Sequence, residues 1–287
     1  MSKNRNRDHA LKPQAQIDVC ILEAGRFDML EKCLDALYRE AQFVPLNIYI
    51  FDNGSDPKEP VAHASLLTYQ PDRDPGKGVV NFQVKRSQQN MGFPVGSNEA
   101  AKMGRAPLIM FIGDDVELMP GAIEQVLQDF KDETVGIVGI KLLFPSTSTD
   151  KNRPANKVQH VGMAIDIHGT PIHPLVGWSA GHPKCGISRD VWAVTGACFT
   201  IRRNLFNKLG GFDPIYGLGT HEDLDLCMKV RSSGKRVYFD AKAQGYHYVG
   251  ATAEKLRVNF PLQQNRSIFM ARWQNSGQVF WNEVEWW

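Results

Sequence analysis

A chain of 287 residues with 43% hydrophobic content can bury one large α/β core or two small ones. Its formal charge of +2, and the lack of a basic block interleaved with aromatics, argue against a nucleic-acid partner. Five scattered cysteines form no ligand-like pair, which points to a reducing, cytoplasmic setting and away from disulfides or structural zinc. No run of eighteen apolar residues is present, and the polar opening through Asp8 lacks the apolar core of a signal peptide.

The spacing predicts a strand over 17–22, then a helix over 29–41 with Leu30, Cys33, Leu34 and Leu37 on one stripe. A second strand over 48–51 stops at Asp52-Asn53-Gly54-Ser55, and this strand-helix-strand run begins a doubly wound sheet. Residues 56–78, rich in Pro, Asp and Gly, read as irregular around one short helix. A strand over 79–85 follows, then a helix over 96–103 introduced by a Gly92-Phe93-Pro94 turn. The most apolar strand, 107–112, suits the centre of a parallel sheet and ends in Gly113-Asp114-Asp115. Beyond it come a helix over 121–130, a strand over 135–144, a polar loop over 145–154 and hairpin-like pieces over 158–176. A strand over 191–201 interrupted at Thr195-Gly196-Ala197, a helix from Glu222 to Ser232 and a short strand over 237–239 complete the pattern.

In open α/β sheets ligands collect beyond the carboxyl ends of the strands. Three polar clusters reach that level: Asp52 to Ser55, Asn90-Met91-Gly92-Phe93, and Gly113 to Asp115. Each is also ordinary turn material, but a shared level favours a nucleotide pocket. Neither a P-loop nor a dinucleotide fingerprint follows the first strand, so a phosphate-bearing ligand needs a cation or basic side chains instead. Two adjacent carboxylates at the mouth of a buried strand suit a divalent ion, or else a solvated acidic turn. In His221-Glu222-Asp223-Leu224-Asp225, three carboxylates in four residues exceed what a helix cap needs, and Asp223 is placed to accept a proton from a hydroxyl. His247, between Tyr246 and Tyr248, is either a packed core histidine or a metal ligand, and its spacing leaves it free to meet Asp115.

These motifs, in this order and closed by Thr195-Gly196-Ala197-Cys198, Gly210-Gly211-Phe212-Asp213 and His247, resemble the family 2 inverting glycosyltransferases of the GT-A type. The likeness covers 17–252 and is nearest to rhamnosyltransferase-like, bacterial polysaccharide-assembly members. It implies a Rossmann-like central mixed sheet flanked by helices, in one domain with an irregular acceptor-side half. On this reading 17–116 are mainly the nucleotide half and 117–252 the acceptor half. Residues 1–16 are then a flexible extension, and 253–287 a helical, aromatic extension packed on the domain.

The resemblance implies a metal-dependent enzyme that transfers a sugar from a UDP- or dTDP-sugar to an acceptor hydroxyl. Asp52, Asn53, Asn90, Gly92, Phe93, Asp114, Gly196 and Ala197 are expected around the nucleotide-sugar. Asp115 and His247 are expected on Mn²⁺ or Mg²⁺, Asp223 as the catalytic base, and Glu222 beside it orienting donor or acceptor. Trp178 is offered as an acceptor contact, and Arg202, Arg203, Arg257 or Arg266 as added positive charge. The acceptor is a glycan, lipid-linked or small molecule, with a peripheral membrane contact and a homo-oligomer as further expectations.

Two departures stand out. Leu22-Glu23-Ala24-Gly25-Arg26 replaces the family's Thr-Tyr-Asn-like run, and the metal motif is Gly-Asp-Asp, with no residue between its two aspartates. The tail, with Phe260, Ile268, Phe269, Trp273, Phe280, Trp281, Trp286 and Trp287, reads as packing, with a lipid contact, sugar platform or dimer seam as alternatives. The competing readings are a nucleotide-sugar-binding protein without turnover and a metal-dependent nucleotidyltransferase.

Overall fold

The computed structural model describes residues 14–55, 78–166, 168–249 and 259–276. The expectations for 1–13, for a helix within 56–77, for Arg257, and for the aromatics from Phe280 to Trp287 lie outside the described residues. Among the described residues ten strands form one sheet. The parallel part runs β3 (Val79–Ser87), β2 (Leu46–Asn53), β1 (Ile17–Glu23), β4 (Leu108–Gly113). β1, β2 and β4 are almost wholly buried, as their apolar runs require, whereas the outer strand β3 is half exposed and carries Lys85 and Arg86.

Past β4 the sheet becomes mixed. β11 (Cys198–Arg202) lies antiparallel between β4 and β6 (Val135–Leu143), and β12 (Arg236–His247) runs parallel to β6. β5 (Val116–Leu118) and β10 (Arg189–Asp190) add antiparallel to β12, and β7 (Val158–His160) to β6. A separate hairpin joins β8 (Ala164–Ile165) to β9 (Pro171–Ile172).

Helices cover both faces. α1 (Phe27–Glu40) buries the Leu30, Cys33, Leu34, Leu37 stripe, and α3 (Ala122–Asp129) buries Ile123 and Val126 in the same core layer. The opposite layer holds α2 (Gly92–Ala101), α4 (Arg203–Lys208), α5 (Glu222–Ser232) and α6 (Leu262–Trp273). Its centre is Phe111, with ring centroids 5.4, 5.2 and 5.0 Å from Phe199, Phe206 and Phe212. Such offset and edge contacts add to simple area burial. All five cysteines are buried and free, and burial raises the thiols, Cys198 and Cys227 to about 12, so they behave as packing groups. Among the described residues no helix is long and apolar enough to cross a membrane.

Three elements differ from expectation. α2 begins at Gly92 because Gly92 adopts φ +79 and Pro94 is tolerated in a first turn that needs no donor. The strand expected over 191–201 is only β11, since the Val191 N–H donates to the Val237 carbonyl and Ala193 forms an isolated antiparallel bridge with Met163. The short strand over 237–239 is part of the twelve-residue β12, which continues through a register shift between Asp240 and Gln244.

Candidate active site

A cleft of ≈ 500 Å³ opens at the carboxyl ends of β1 and β4, where the sheet changes direction. It gathers the sequence clusters from four places. Asn53, Asn90 and Phe93 form one wall, Gly113 to Asp115 the floor, Gly196 and Ala197 the back, and Glu222, Asp223 and His247 the remaining side. A larger groove of ≈ 810 Å³ lies at the opposite ends of the strands and includes Arg202 and Arg203. Both guanidinium groups there are spent on structure. Arg202 donates to the carbonyls of Phe130, Asp132 and Val135, and Arg203 to those of Ala101 and Ala106 and to buried Asp18 at 2.5 Å. Neither adds charge to the cleft, which corrects two of the four arginine expectations.

The Asp114-Asp115 turn joins β4 directly to β5, and β5 pairs with the end of β12 so that Val116 faces His247. The Tyr248 N–H closes this corner on the Asp115 carbonyl at 2.9 Å. As a result His247 Nε2 stands 3.4 Å from Asp115 Oδ1, with His247 Nδ1 3.3 Å from Gln159 Oε1. A partner at Nδ1 fixes the ring and presents the other nitrogen to the cleft. One imidazole nitrogen and one carboxylate oxygen facing open space are the right donor types for Mn²⁺ or Mg²⁺. Among the described residues no third His, Cys, Asp or Glu completes an all-protein site. The pair therefore fits a cation that takes its remaining ligands from water and a phosphate-bearing ligand. Asp114 is buried beside them and lines the same floor.

The opposite wall is built by amides. Asn53 Nδ2 donates to Asn90 Oδ1 at 3.0 Å, while Asn53 Oδ1 accepts from the Met91 N–H and Asn90 Oδ1 from the Gly92 N–H. Gly92 is required here, because a Cβ would sit 2.0 Å from the Gly217 carbonyl oxygen. Asp52 is fully buried at the end of β2, outside the cleft lining. Its carboxylate accepts from the Ser55 N–H and hydroxyl and pairs with Arg86 at 3.3 Å. Glu23 likewise folds back, accepting from the backbone N–H groups of Gly25 and Arg26. Leu22 and Ala24 present the apolar side of that turn to the cleft.

The carboxylates of α5 are held by a strained loop. Thr220 and His221 both have positive φ, 80 and 67, immediately before Glu222. Two successive non-glycine residues in this region persist only where the surroundings enforce them. Enforcement comes from α6, where buried Asn265 Nδ2 lies within hydrogen-bonding distance of the carbonyls of Tyr216, Gly219 and Thr220. Asp225 anchors the same unit, accepting from Tyr216 Oη, Arg272 and Trp273 Nε1 and pairing with Lys229.

Asp223 is thereby turned into the cleft. Its Oδ2 accepts from the Gly196 N–H at 2.9 Å and its Oδ1 from the Leu224 N–H at 2.8 Å. The adjacent Ala197 carbonyl accepts from the Gly113 N–H at 2.8 Å. Backbone hydrogen bonds thus run from the floor to Asp223. Glu222 differs from its neighbour, for it is 6% exposed and its Oε2 has no hydrogen-bond partner among the described residues. Burial, and then the Asp223 charge, push its carboxyl well above the usual range.

The cleft thus joins Asn53, Asn90, Phe93, Asp114, Asp115, Gly196, Ala197, Glu222, Asp223 and His247; Gly92 supports its wall from behind. Trp178 stands apart, 41% exposed, with its ring 4.7 Å from His182. Sequence reasoning missed Gln159 and Asn265. Neither belongs to a local motif, and their partners lie 88 and 45 or more residues away.

A family model described as "Glycosyltransferase like family 2" matches residues 13–276. Curated relatives include the O-antigen biosynthesis protein RfbC of Myxococcus xanthus, 25% identical over 244 residues, which are 83% of this chain and 18% of RfbC. Protein y4gI of Sinorhizobium fredii is 22% identical over 82% of this chain and 25% of its own length. The chain thus spans a quarter or less of these two relatives. Among solved structures, GalNAc-T7 with UDP, GalNAc and Mn²⁺ superposes with a TM-score of 0.63 at 14% identity, covering 91% of this chain and 48% of that one. Mannosyltransferase PcManGT of Pyrobaculum calidifontis, in complex with GDP-Man and Mn²⁺, superposes at 0.56 and 14% identity, covering 90% and 69%. At these identities the likeness is one of fold, a GT-A fold.

Proposed function

Since the chain belongs to the glycosyltransferase-like family 2, we propose that it is an inverting glycosyltransferase that moves a sugar from a UDP- or dTDP-sugar to an acceptor hydroxyl in polysaccharide assembly. The observation that carries this reading is one cleft lined by both the Asp115–His247 pair and the Glu222–Asp223 pair. Asp115 and His247 would hold Mn²⁺ or Mg²⁺ against the donor diphosphate, and the ion when bound supplies Lewis-acid stabilisation of the leaving group's charge. Fold relatives solved with Mn²⁺ and a nucleotide or nucleotide-sugar support that assignment.

Asp223 takes the proton from the acceptor hydroxyl, whose oxygen forms the new bond to the anomeric carbon. The bond from that carbon to the diphosphate oxygen breaks on the opposite face, and its electron pair leaves with the nucleoside diphosphate. Glu222, its carboxyl pushed well above the usual range by burial and the Asp223 charge, is biased toward the protonated form, which can donate a hydrogen bond to a sugar hydroxyl. Asn53, Asn90, Phe93, Asp114, Gly196 and Ala197 border the donor, with Asp52 behind them as the stay of the β2 turn. A nucleotidyltransferase is disfavoured because the Gly25 and Arg26 N–H groups, which a phosphate cradle would need, are occupied by Glu23.

Asp223→Asn tests the base assignment. The amide oxygen can still accept from the Gly196 N–H, while the amide NH₂ loses the bond from the Leu224 N–H, so the fold should survive with only a small drop in Tm. Transfer should fall by about 10²–10⁴-fold, the usual contribution of a general base. Turnover within a few fold of wild type would reject the assignment.

A further inference from the structure

A second cavity of ≈ 370 Å³ adjoins the cleft and shares Thr220 and Asp223 with it. Its other walls come from the β9 end at His173, the start of α5 at His221, and the first turns of α6 at Leu262 and Arg266. None of the proposed metal ligands lines it.

Three features mark it as a place for a ligand. His221 is only 6% exposed, yet neither ring nitrogen has a hydrogen-bond partner of normal geometry among the described residues. The ring makes a weak polar contact with the Gly169 backbone. A buried polar group left this way costs free energy that a ligand hydroxyl would recover. Second, burial lowers both His173 and His221 toward the neutral imidazole; His173 Nδ1 is taken by His160 Nδ1 at 3.2 Å, so His173 Nε2 and the His221 ring are the groups left to meet hydroxyls. Third, Arg266 is exposed and forms no ion pair among the described residues, although Asp223 lines the same cavity. Arg272, farther along the same helix, is by contrast tied to Asp213 and Asp225. A cation and a carboxylate that share a cavity without pairing leave room between them.

We infer that this cavity is the acceptor subsite and that it takes an anionic sugar, its attacking hydroxyl toward Asp223 and its carboxylate or phosphate toward Arg266. The inference rests on the glycosyltransferase reading above. It assigns acceptor choice to α6 and the β8–β9 hairpin, apart from the nucleotide wall.

The test uses the full chain and three probes: methyl β-D-glucuronide, methyl β-D-glucoside 6-phosphate and neutral methyl β-D-glucoside, titrated by ligand-observed NMR. One or both anionic glycosides should bind about tenfold tighter than the neutral one, as a charge-assisted hydrogen bond of about 1.5 kcal/mol provides. The comparison of the first two tells carboxylate from phosphate. Arg266→Gln should erase the preference, and Leu262→Trp, which fills the cavity mouth, should weaken all three, with UDP–Mn²⁺ binding unchanged in both variants. Equal binding of charged and neutral glycosides, no binding of any, or a preference that survives Arg266→Gln would overturn the inference. Failure of UDP, dTDP and their sugars to bind the wild-type chain would instead overturn the functional reading.

Discussion

Glu222 and Asp223 are neighbours in sequence with the same functional group, and the fold gives them different surroundings. Asp223 receives two backbone N–H groups at the edge of the cleft, whereas Glu222 is buried with an oxygen that has no partner among the described residues. Burial and the neighbouring charge raise the Glu222 carboxyl, so its folded form holds a proton at pH values where the unfolded chain, near 4.3, has lost it. By linkage, this group stabilises the fold fully below the unfolded value, and that contribution is lost as pH rises through the folded value. Glu222→Gln should therefore be more stable than wild type at pH 8, with the gap shrinking toward pH 4.5 in urea unfolding. A gap that is constant with pH would contradict a buried, protonated Glu222. The sequence marked both residues by their excess over a helix cap. It carried no sign of which would be buried, because that depends on a loop folded over Glu222 from Gly219 and Thr220.

At the scale of elements, the site depends on how α6 clamps the loop ahead of α5. Asn265 Nδ2, with two N–H bonds to give, lies within reach of the carbonyls of Tyr216, Gly219 and Thr220, of which that of Tyr216 also accepts from the Gly219 N–H. Asn265→Leu should cost about 1–3 kcal/mol per unsatisfied carbonyl at most, and should lower transfer more than it lowers nucleotide affinity, because the loop sets Thr220 and Asp223. Urea unfolding together with KM and kcat for donor checks this; a stability loss with unchanged kcat would place Asn265 outside the catalytic geometry. The parallel strands and α1 were legible from apolar runs and spacing. β12 was not, since Lys242, Gly245 and a register shift break its period, although it delivers His247. In the sequence Gly92-Phe93-Pro94 reads as a turn ahead of α2, while in the fold Gly92 approaches the Gly217 carbonyl and opens the helix.

Across the whole molecule, the sheet carries out an assembly that no local motif describes. β4 brings Asp114 and Asp115 to the switch point, β12 returns from the far side with His247, and the segment before β11 carries Gly196 and Ala197 between them and Asp223. The ordered series of motifs made the family and the GT-A fold readable. The lateral order of the strands, and hence the Asp115–His247 approach, came only with the structure. The most direct test of the central claim is thermal unfolding with a panel of UDP- and dTDP-sugars, in Mn²⁺ and in excess chelator, for wild type and Asp115→Asn. A ligand bound only by the folded state raises Tm, by about 2.7 kcal/mol of added stability at a hundredfold excess over Kd. The account predicts that at least one donor raises the wild-type Tm in Mn²⁺, and that chelator and Asp115→Asn each remove most of the rise. Equal protection with chelator or in Asp115→Asn, or no protection by any donor, would contradict it.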